Sequence, residues 1–334
     1  MENHTLLNKG DIISSFSHNY HIKGLLGRGA YSNVYLAETK VTITDGLQPI
    51  EAEIKVAVKE YSINTDLCNA EKTEPCSITL VHSNNDHNVL EGAVRLGLYS
   101  LNHPHIIKIF DHFSYNSRNY TVYQYIKGCN LNEYIQKKGY LDEKESFEIA
   151  KQIGSAITYL HMVGYIHLDI KPSNIMLSEE GHATLIDLDT LTAANVPTSK
   201  QSTFKGTIGY SAPERAIADN AIQVLSDIYA FGGTLFKMLT GSTPIHANND
   251  TFKEYIYTSL KEKNINEDLT KVVLKSMEFN ESERYKTMDE LLTELNRCSP
   301  KGHQENKEYL NQNFQEPRII NPEISDTDTA EIQI

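Results

Sequence analysis

With 334 residues, 40% of them hydrophobic and 22% charged, the chain can bury one large core or two modest lobes, as ordinary soluble proteins do. Its 31 basic and 44 acidic side chains leave a net charge of −13, which disfavours a general affinity for nucleic acid or anionic membrane, since both select cationic surface. No apolar run approaches the roughly 20 residues that span a bilayer. The opening Met-Glu-Asn-His-Thr has neither the basic nor the apolar region of a secretion signal, so a cytoplasmic protein without a membrane span is expected. Cys68, Cys76, Cys129 and Cys298 form no C-x-x-C pair and lack zinc-finger spacing, which predicts reduced thiols.

The first 18 residues are polar without a clear period and predict a loose lead-in. Strand-like alternation begins over Tyr20–Leu26 and resumes over Asn33–Glu38, around the turn Gly27-Arg28-Gly29-Ala30-Tyr31-Ser32. Because that turn joins two strands, not a strand and a helix, it argues against a dinucleotide-binding crossover. A polar hairpin, Lys40–Glu53, leads into the alternating Lys55-Val56-Ala57-Val58-Lys59. Residues 63–88, with four acids and one lysine, predict a polar insertion forming a mobile loop. A helix over about 89–101 is followed by Asn102-His103-Pro104-His105-Ile106-Ile107, and Tyr120–Ile126 alternates as another strand. From Leu131 the spacing turns helical, with Phe147, Ile149, Ala150, Ile153, Ala156, Ile157 and Leu160 marking one long buried helix. Residues 299–334, with seven acids, three basic residues and three prolines, predict a disordered acidic tail.

Chemistry concentrates between residues 165 and 187, which bring His167, Asp169, Lys171, Asn174 and Asp187 within one short stretch. The apolar runs Ile175–Leu177 and Ala183–Ile186, joined at Ser178-Glu179-Glu180-Gly181, predict a hairpin that returns Asp187 to the side of Asn174. Two hard oxygen ligands beside a further carboxylate and a lysine suit Mg2+ carrying a triphosphate, because Mg2+ takes few protein carboxylates and shares phosphate oxygens.

The stretch resembles the catalytic loop H-R-D-x-K-x-x-N and the D-F-G metal segment of the eukaryotic-like (Hanks-type) serine/threonine protein kinases. Val56-Ala57-Val58-Lys59 is similar to that family's V-A-I-K, and Gly206-Thr207 through Ala212-Pro213-Glu214 to the end of its activation segment. The resemblance covers about residues 20–298, with the motifs in family order. It implies an α+β, two-lobed protein-kinase-like fold over 19–298, with a small β-rich N-lobe (about 19–126, holding the insertion) and a larger helical C-lobe (about 127–298), between the lead-in 1–18 and the tail.

It also implies ATP and Mg2+ as nucleotide and metal, and protein substrates bearing Ser or Thr. Asp169 would orient the attacking hydroxyl and accept its proton, Lys171 would neutralise charge on the transferring phosphoryl group, Asn174 and Asp187 would hold Mg2+, and Thr207 would contact Asp169 and Lys171. Gly27, Gly29 and Ser32 would cover the phosphates and Lys59 would bind them. Val34, Ala57 and Met176 would enclose the adenine. Tyr123 would stand as gatekeeper before the hinge Gln124-Tyr125-Ile126, and Asn130 would meet the ribose. The family's helix glutamate falls by offset on Val94; either Glu91, one turn earlier, pairs with Lys59 or the pair is absent. Glu214 with Arg284, and Asp227, resemble the family's structural ion pair and catalytic-loop anchor.

Three positions depart from the pattern. Ser32 replaces the third glycine. Leu168 replaces the arginine that clamps a phosphorylated activation loop, so that phosphorylation is not expected to be obligatory. Asp189 replaces the metal-segment glycine and loses free access to positive φ. The leading expectation is a Ser/Thr kinase. The alternatives are a pseudokinase scaffold that binds nucleotide with little transfer, and a small-molecule kinase, which would lack the Gly206-to-Glu214 block. These motifs fix no oligomeric state.

Overall fold

The computed structural model describes residues 6–29, 32–44, 49–61, 98–116, 118–194, 207–216, 223–244 and 249–299. The insertion at 63–88, Glu91, the tail from 300, and Thr198, Ser199, Ser202 and Thr203, which the sequence offers as autophosphorylation sites between Asp187 and Gly206, lie outside them. The described residues divide into two compact units, 6–61 with Ile109–Tyr125 in the first, and 98–108 with the chain from Ile126 in the second.

The first unit is one antiparallel six-stranded sheet of order β1-β2-β3-β4-β6-β5, with β1 Ile12–Ser14, β2 Asn19–Arg28, β3 Ser32–Thr44, β4 Pro49–Tyr61, β5 Ile109–Tyr115 and β6 Arg118–Gln124. Its alternation is the physical reason for the sheet: Tyr20 and Ile22, Tyr35 and Ala37, Val56 and Val58, Tyr120 and Val122 all project into one core. The lead-in expected to be loose supplies β1, and its Ile13 is buried in that core. Glu60 continues the Val56–Val58 face and is buried with it. Arg118 donates to its carboxylate at 2.6 Å, Tyr35 at 3.0 Å, Tyr120 at 3.1 Å and Asn33 at 3.3 Å. Burial alone would raise the Glu60 pKa, but these donors and the Arg118 charge outweigh it and hold the carboxyl below its usual range.

The opposite face of the sheet collects a different set. Lys59 pairs with Val34 on one side and Thr121 on the other, and Ala57 pairs with Tyr123. Directly paired residues share a face, so Val34, Ala57, Lys59 and Tyr123 are gathered on the face away from the core.

The second unit is mainly helical, with α1 Leu131–Lys138, α2 Glu143–Met162, α3 Val224–Thr240, α4 Asn249–Glu262, α5 Glu267–Ser276 and α6 Met288–Arg297. Asp142 caps α2 by accepting from Glu145 N–H at 2.8 Å. Every residue of α3 from Leu225 to Thr240 is buried, so this helix is core on all sides. Two small sheets complete the unit, β10-β9-β7 (Ala183–Leu185, Ile175–Ser178, Gly128–Asn130) and β11-β8 (Thr192–Ala193, Tyr165–Ile166). A Cβ on Gly128 would stand 1.8 Å from the Leu177 carbonyl oxygen, which is why β7 can lie so close to β9. Among the described residues no helix is long and apolar enough to cross a membrane.

Residues 102–107 dock onto the β9–β10 hairpin through backbone bonds between His105, Leu185 and Ile107. His105 Nδ1 donates to the Ala183 carbonyl at 2.8 Å, and its ring stacks on His182 at 4.4 Å. Burial, with the neighbouring His182 and His103, pulls the His105 pKa down to about 4. An unfolded histidine titrates near pH ~6.5, so below that pH the unfolded chain takes up a proton the folded one refuses, and stability declines as pH falls towards about 4. His105→Asn keeps a donor for Ala183 without the titration. The loss of urea-unfolding free energy between pH 7 and pH 5 is expected to be smaller in this variant, and an equal loss in both proteins would contradict the assignment.

Candidate active site

The β9–β10 hairpin pairs Ile175 with Leu185, and Ile186 N–H donates to the Asn174 carbonyl at 2.8 Å. Asn174 and Asp187 therefore flank the same end of the hairpin. Just before β9, the stretch from Asp169 to Asn174 forms a hydrogen-bonded ring with Thr207. Lys171 Nζ donates to Asp169 Oδ2 at 2.7 Å and to Thr207 Oγ1 at 2.8 Å, while Thr207 Oγ1 donates to Asp169 Oδ1 at 3.0 Å. Asn174 Nδ2 donates to Asp169 Oδ2 at 2.9 Å and to the Asp169 carbonyl at 2.8 Å. With the amide nitrogen so engaged, the Asn174 carbonyl oxygen is the side-chain atom left to act as a hard ligand. The Asp169 side chain keeps 16% of its exposure and Lys171 20%, so both are shielded without being sealed off.

Asp227 holds the loop from beneath. Completely buried in α3, it accepts from His167 N–H and Leu168 N–H, both at 2.8 Å, and bonds His161 Nε2 at 2.9 Å. Burial would raise its pKa, but the His161 bond and the surrounding donors outweigh this and keep it a carboxylate. Burial likewise holds His167 below the usual imidazole range, against the pull of Asp227, Asp169 and Asp187.

Two non-glycine residues here are left-handed. Leu168 has φ 67° and Asp187 φ 61°. For a branched, buried residue such as Leu168 this conformation costs about 1–3 kcal/mol and persists only where neighbours over-determine it. Asp189, which stands at the metal-segment glycine position, lies in the 3-10 turn Leu188–Thr190 and is not among the positive-φ residues. The left-handed step is taken at Asp187, so that departure costs the backbone nothing.

Glu214 and Arg284 form a bidentate pair, Nη1 to Oε1 and Nη2 to Oε2, both 2.8 Å. Arg284 also donates to the Leu225, Glu278 and Phe279 carbonyls, and Ser226 Oγ donates to Glu214 at 2.9 Å.

Of the remaining sequence candidates, Asn130 is the N-cap of α1, its Oδ1 accepting from Glu133 N–H at 2.9 Å, and Met176 is on β9. Gly27 pairs with Val34, and Gly29 N–H donates to the Ser32 carbonyl at 2.7 Å. Tyr123 is buried, with its hydroxyl 3.4 Å from that of Tyr61. Gln124 is exposed at the end of β6, and Tyr125 and Ile126 follow it, half-buried. Sequence reasoning passed over His161 and Arg215. Arg215, directly after Glu214, donates to the Leu168 carbonyl at 2.5 Å and to Ser211 Oγ at 3.3 Å.

A family profile described as the protein kinase domain matches residues 20–300. The serine/threonine-protein kinase PrkC of Bacillus subtilis (strain 168) is 28% identical over 93% of this chain and 45% of its own length. The probable serine/threonine-protein kinase PknB of Lactococcus lactis subsp. lactis (strain IL1403) is 28% identical over 91% of this chain and 46% of its own. Serine/threonine-protein kinase PknB of Mycobacterium leprae (strain TN) is 31% identical over 59% of this chain and 33% of its own. The chain thus spans less than half the length of these relatives.

Proposed function

Because the chain belongs to the protein kinase domain family and has its two-lobed α+β fold, we propose that it transfers the γ-phosphoryl group of ATP to serine and threonine hydroxyls of protein substrates. The observation that carries this reading is the ring joining Asp169, Lys171, Asn174 and Thr207. Asp169 Oδ2 accepts from Lys171 and Asn174 and Oδ1 from Thr207, which fixes the carboxylate plane and leaves a lone pair of Oδ1 to orient a substrate hydroxyl and take its proton. Lys171 supplies positive charge where the transferred group develops negative charge. Thr207 ties the segment that would receive the substrate to both of them.

Asn174 and Asp187 are the residues proposed to hold Mg2+. Their donor set fits: an amide oxygen and a carboxylate are hard ligands, and Mg2+ is usually held by one or two carboxylates together with phosphate and water. When bound, Mg2+ would neutralise phosphate charge. The nucleotide residues proposed from the first unit are Gly27, Gly29, Ser32, Val34, Ala57, Lys59, Tyr123, Gln124 and Tyr125. Ile126, Asn130 and Met176 are proposed from the second, and Glu91 as a partner of Lys59.

Leu168 cannot pair with a phosphate, so activity is proposed not to depend on phosphorylation of the activation loop. Labelled transfer from ATP with Mg2+, followed by phosphoamino-acid analysis, is expected to yield phosphoserine and phosphothreonine, and chelation of the metal is expected to abolish it. Replacing Thr198, Ser199, Ser202 and Thr203, which stand between Asp187 and Gly206, together with alanine is expected to leave the rate within about threefold, since no arginine at 168 waits for a loop phosphate. Products carrying phosphotyrosine alone would overturn the substrate class, and a quadruple variant without activity would overturn the independence.

A further inference from the structure

We propose that Arg215 is a positioning residue for Asp169, fixing from the end of the activation segment the one peptide whose orientation sets the proposed catalytic carboxylate. The inference rests on the reading of Asp169 given above.

The peptide unit between Leu168 and Asp169 is planar and moves as one body. Its carbonyl accepts from Arg215 Nη1 at 2.5 Å, and its N–H donates to His167 Nδ1 at 3.3 Å. The preceding peptide is tied down separately, through Leu168 N–H to the buried Asp227. Both peptides flanking the left-handed Leu168 are therefore pinned, one by the α3 anchor and one by Arg215. Asp169 follows directly, so its side chain inherits whatever angle the second peptide takes.

The donor comes from 47 residues downstream, in the 3-10 turn Pro213–Ala216. Burial lowers its pKa against the attraction of Asp227, Asp169 and Glu214, a guanidinium nonetheless keeps its charge, and it requires no modification to be present. Leu168 itself is buried, with 8% exposure, so water is poorly placed to replace the guanidinium at its carbonyl. Without Arg215, rotation of the 168–169 peptide would relieve the left-handed strain and swing Asp169 out of line with Lys171 and Thr207. Arg215 thereby links order in the segment carrying Thr207 to the geometry of Asp169.

The test is steady-state transfer by the full chain, comparing wild type with Arg215→Met, which keeps the apolar stem, and Arg215→Lys, which keeps one donor and the charge. Thermal unfolding and ATP binding are measured alongside. In Arg215→Met, kcat is expected to fall about 10- to 100-fold, since a displacement of roughly 1 Å costs on that order, with KM for ATP within about twofold. Arg215→Lys is expected to recover part of kcat. A folded Arg215→Met with kcat within twofold of wild type overturns the proposal, as does a lysine variant no better than methionine. Failure of both variants to fold also overturns it, by making Arg215 a residue of stability and not of position. A wild-type protein without transfer removes the reading of Asp169 and this inference together, whereas transfer by wild type with an unaffected Arg215→Met removes this inference alone.

Discussion

Asp169→Asn is expected to lower kcat for phosphoryl transfer by about 10²- to 10⁴-fold, the range that a positioned acid–base group contributes, while ATP binding stays within about twofold. The substitution is nearly isosteric, so packing is preserved and the loss is chemical. An amide oxygen can still accept from Thr207 or Lys171, but the amide nitrogen would face one of those donors, and the group could no longer accept a substrate proton. Lys171 also loses its anionic partner at 2.7 Å and keeps only neutral acceptors within the ring. Nucleotide affinity should be nearly unchanged because none of the proposed nucleotide contacts is Asp169. Initial rates over a range of ATP concentrations, with binding measured calorimetrically, separate the two quantities. A variant that keeps a tenth or more of the wild-type kcat would remove Asp169 from the role assigned to it.

Those residues were legible because their chemistry is carried by identity and spacing. Asp169, Lys171 and Asn174 fall within six positions, and the apolar runs on either side of Ser178-Glu179-Glu180-Gly181 predict the hairpin that brings Asp187 back. The alternation of Val56, Val58, Tyr120 and Val122 likewise foretold the core face of the sheet.

What was missed has physical reasons. Ile12 and Ile13 stand alone between the polar Asp11 and Ser14-Ser15, so β1 has too short an apolar signal to stand out, and it is held by pairing with β2. Glu60 is in phase with Val56 and Val58, but a carboxylate is ordinarily read as exposed; only the three-dimensional convergence of Arg118, Tyr35, Tyr120 and Asn33 permits its burial. The left-handed turn at Leu168 has no local signature, since a branched apolar residue disfavours φ above zero, and at Asp187 the signature is weak, Asp tolerating that region better than most residues without requiring it. Both turns are imposed by tertiary bonds, and the effect of Asp189, which the residue type alone left open, is settled for the backbone by the positive φ falling two residues earlier, at Asp187.

Arg284→Met is expected to reduce the free energy of unfolding by about 3–5 kcal/mol, because breaking a buried ion pair strands the surviving charge. Arg284 is 1% exposed, and its guanidinium serves Glu214 and three backbone carbonyls at once, so methionine fills the stem and leaves every one of those acceptors without its donor. In the wild type, burial raises the Glu214 pKa, but the Arg284 bonds and charge outweigh it and the net shift is downward. Glu214 therefore contributes stability above the unfolded carboxylate value of about 4.3, and that contribution is lost as pH falls through the lower folded value. Removing Arg284 reverses the sign. The unpaired, buried carboxylate then favours its proton, and the variant gains stability relative to wild type as pH is lowered from 7 towards 5. Glu214→Gln added to Arg284→Met should recover part of the loss at pH 7 and abolish that relative gain, since a neutral amide costs less to bury than a lone charge. Urea unfolding of wild type, the single variant and the double variant at pH 7 and pH 5 separates these contributions. If the single and double variants are equally unstable at pH 7, the loss comes from the carbonyls that Arg284 ties together and not from the stranded charge of Glu214.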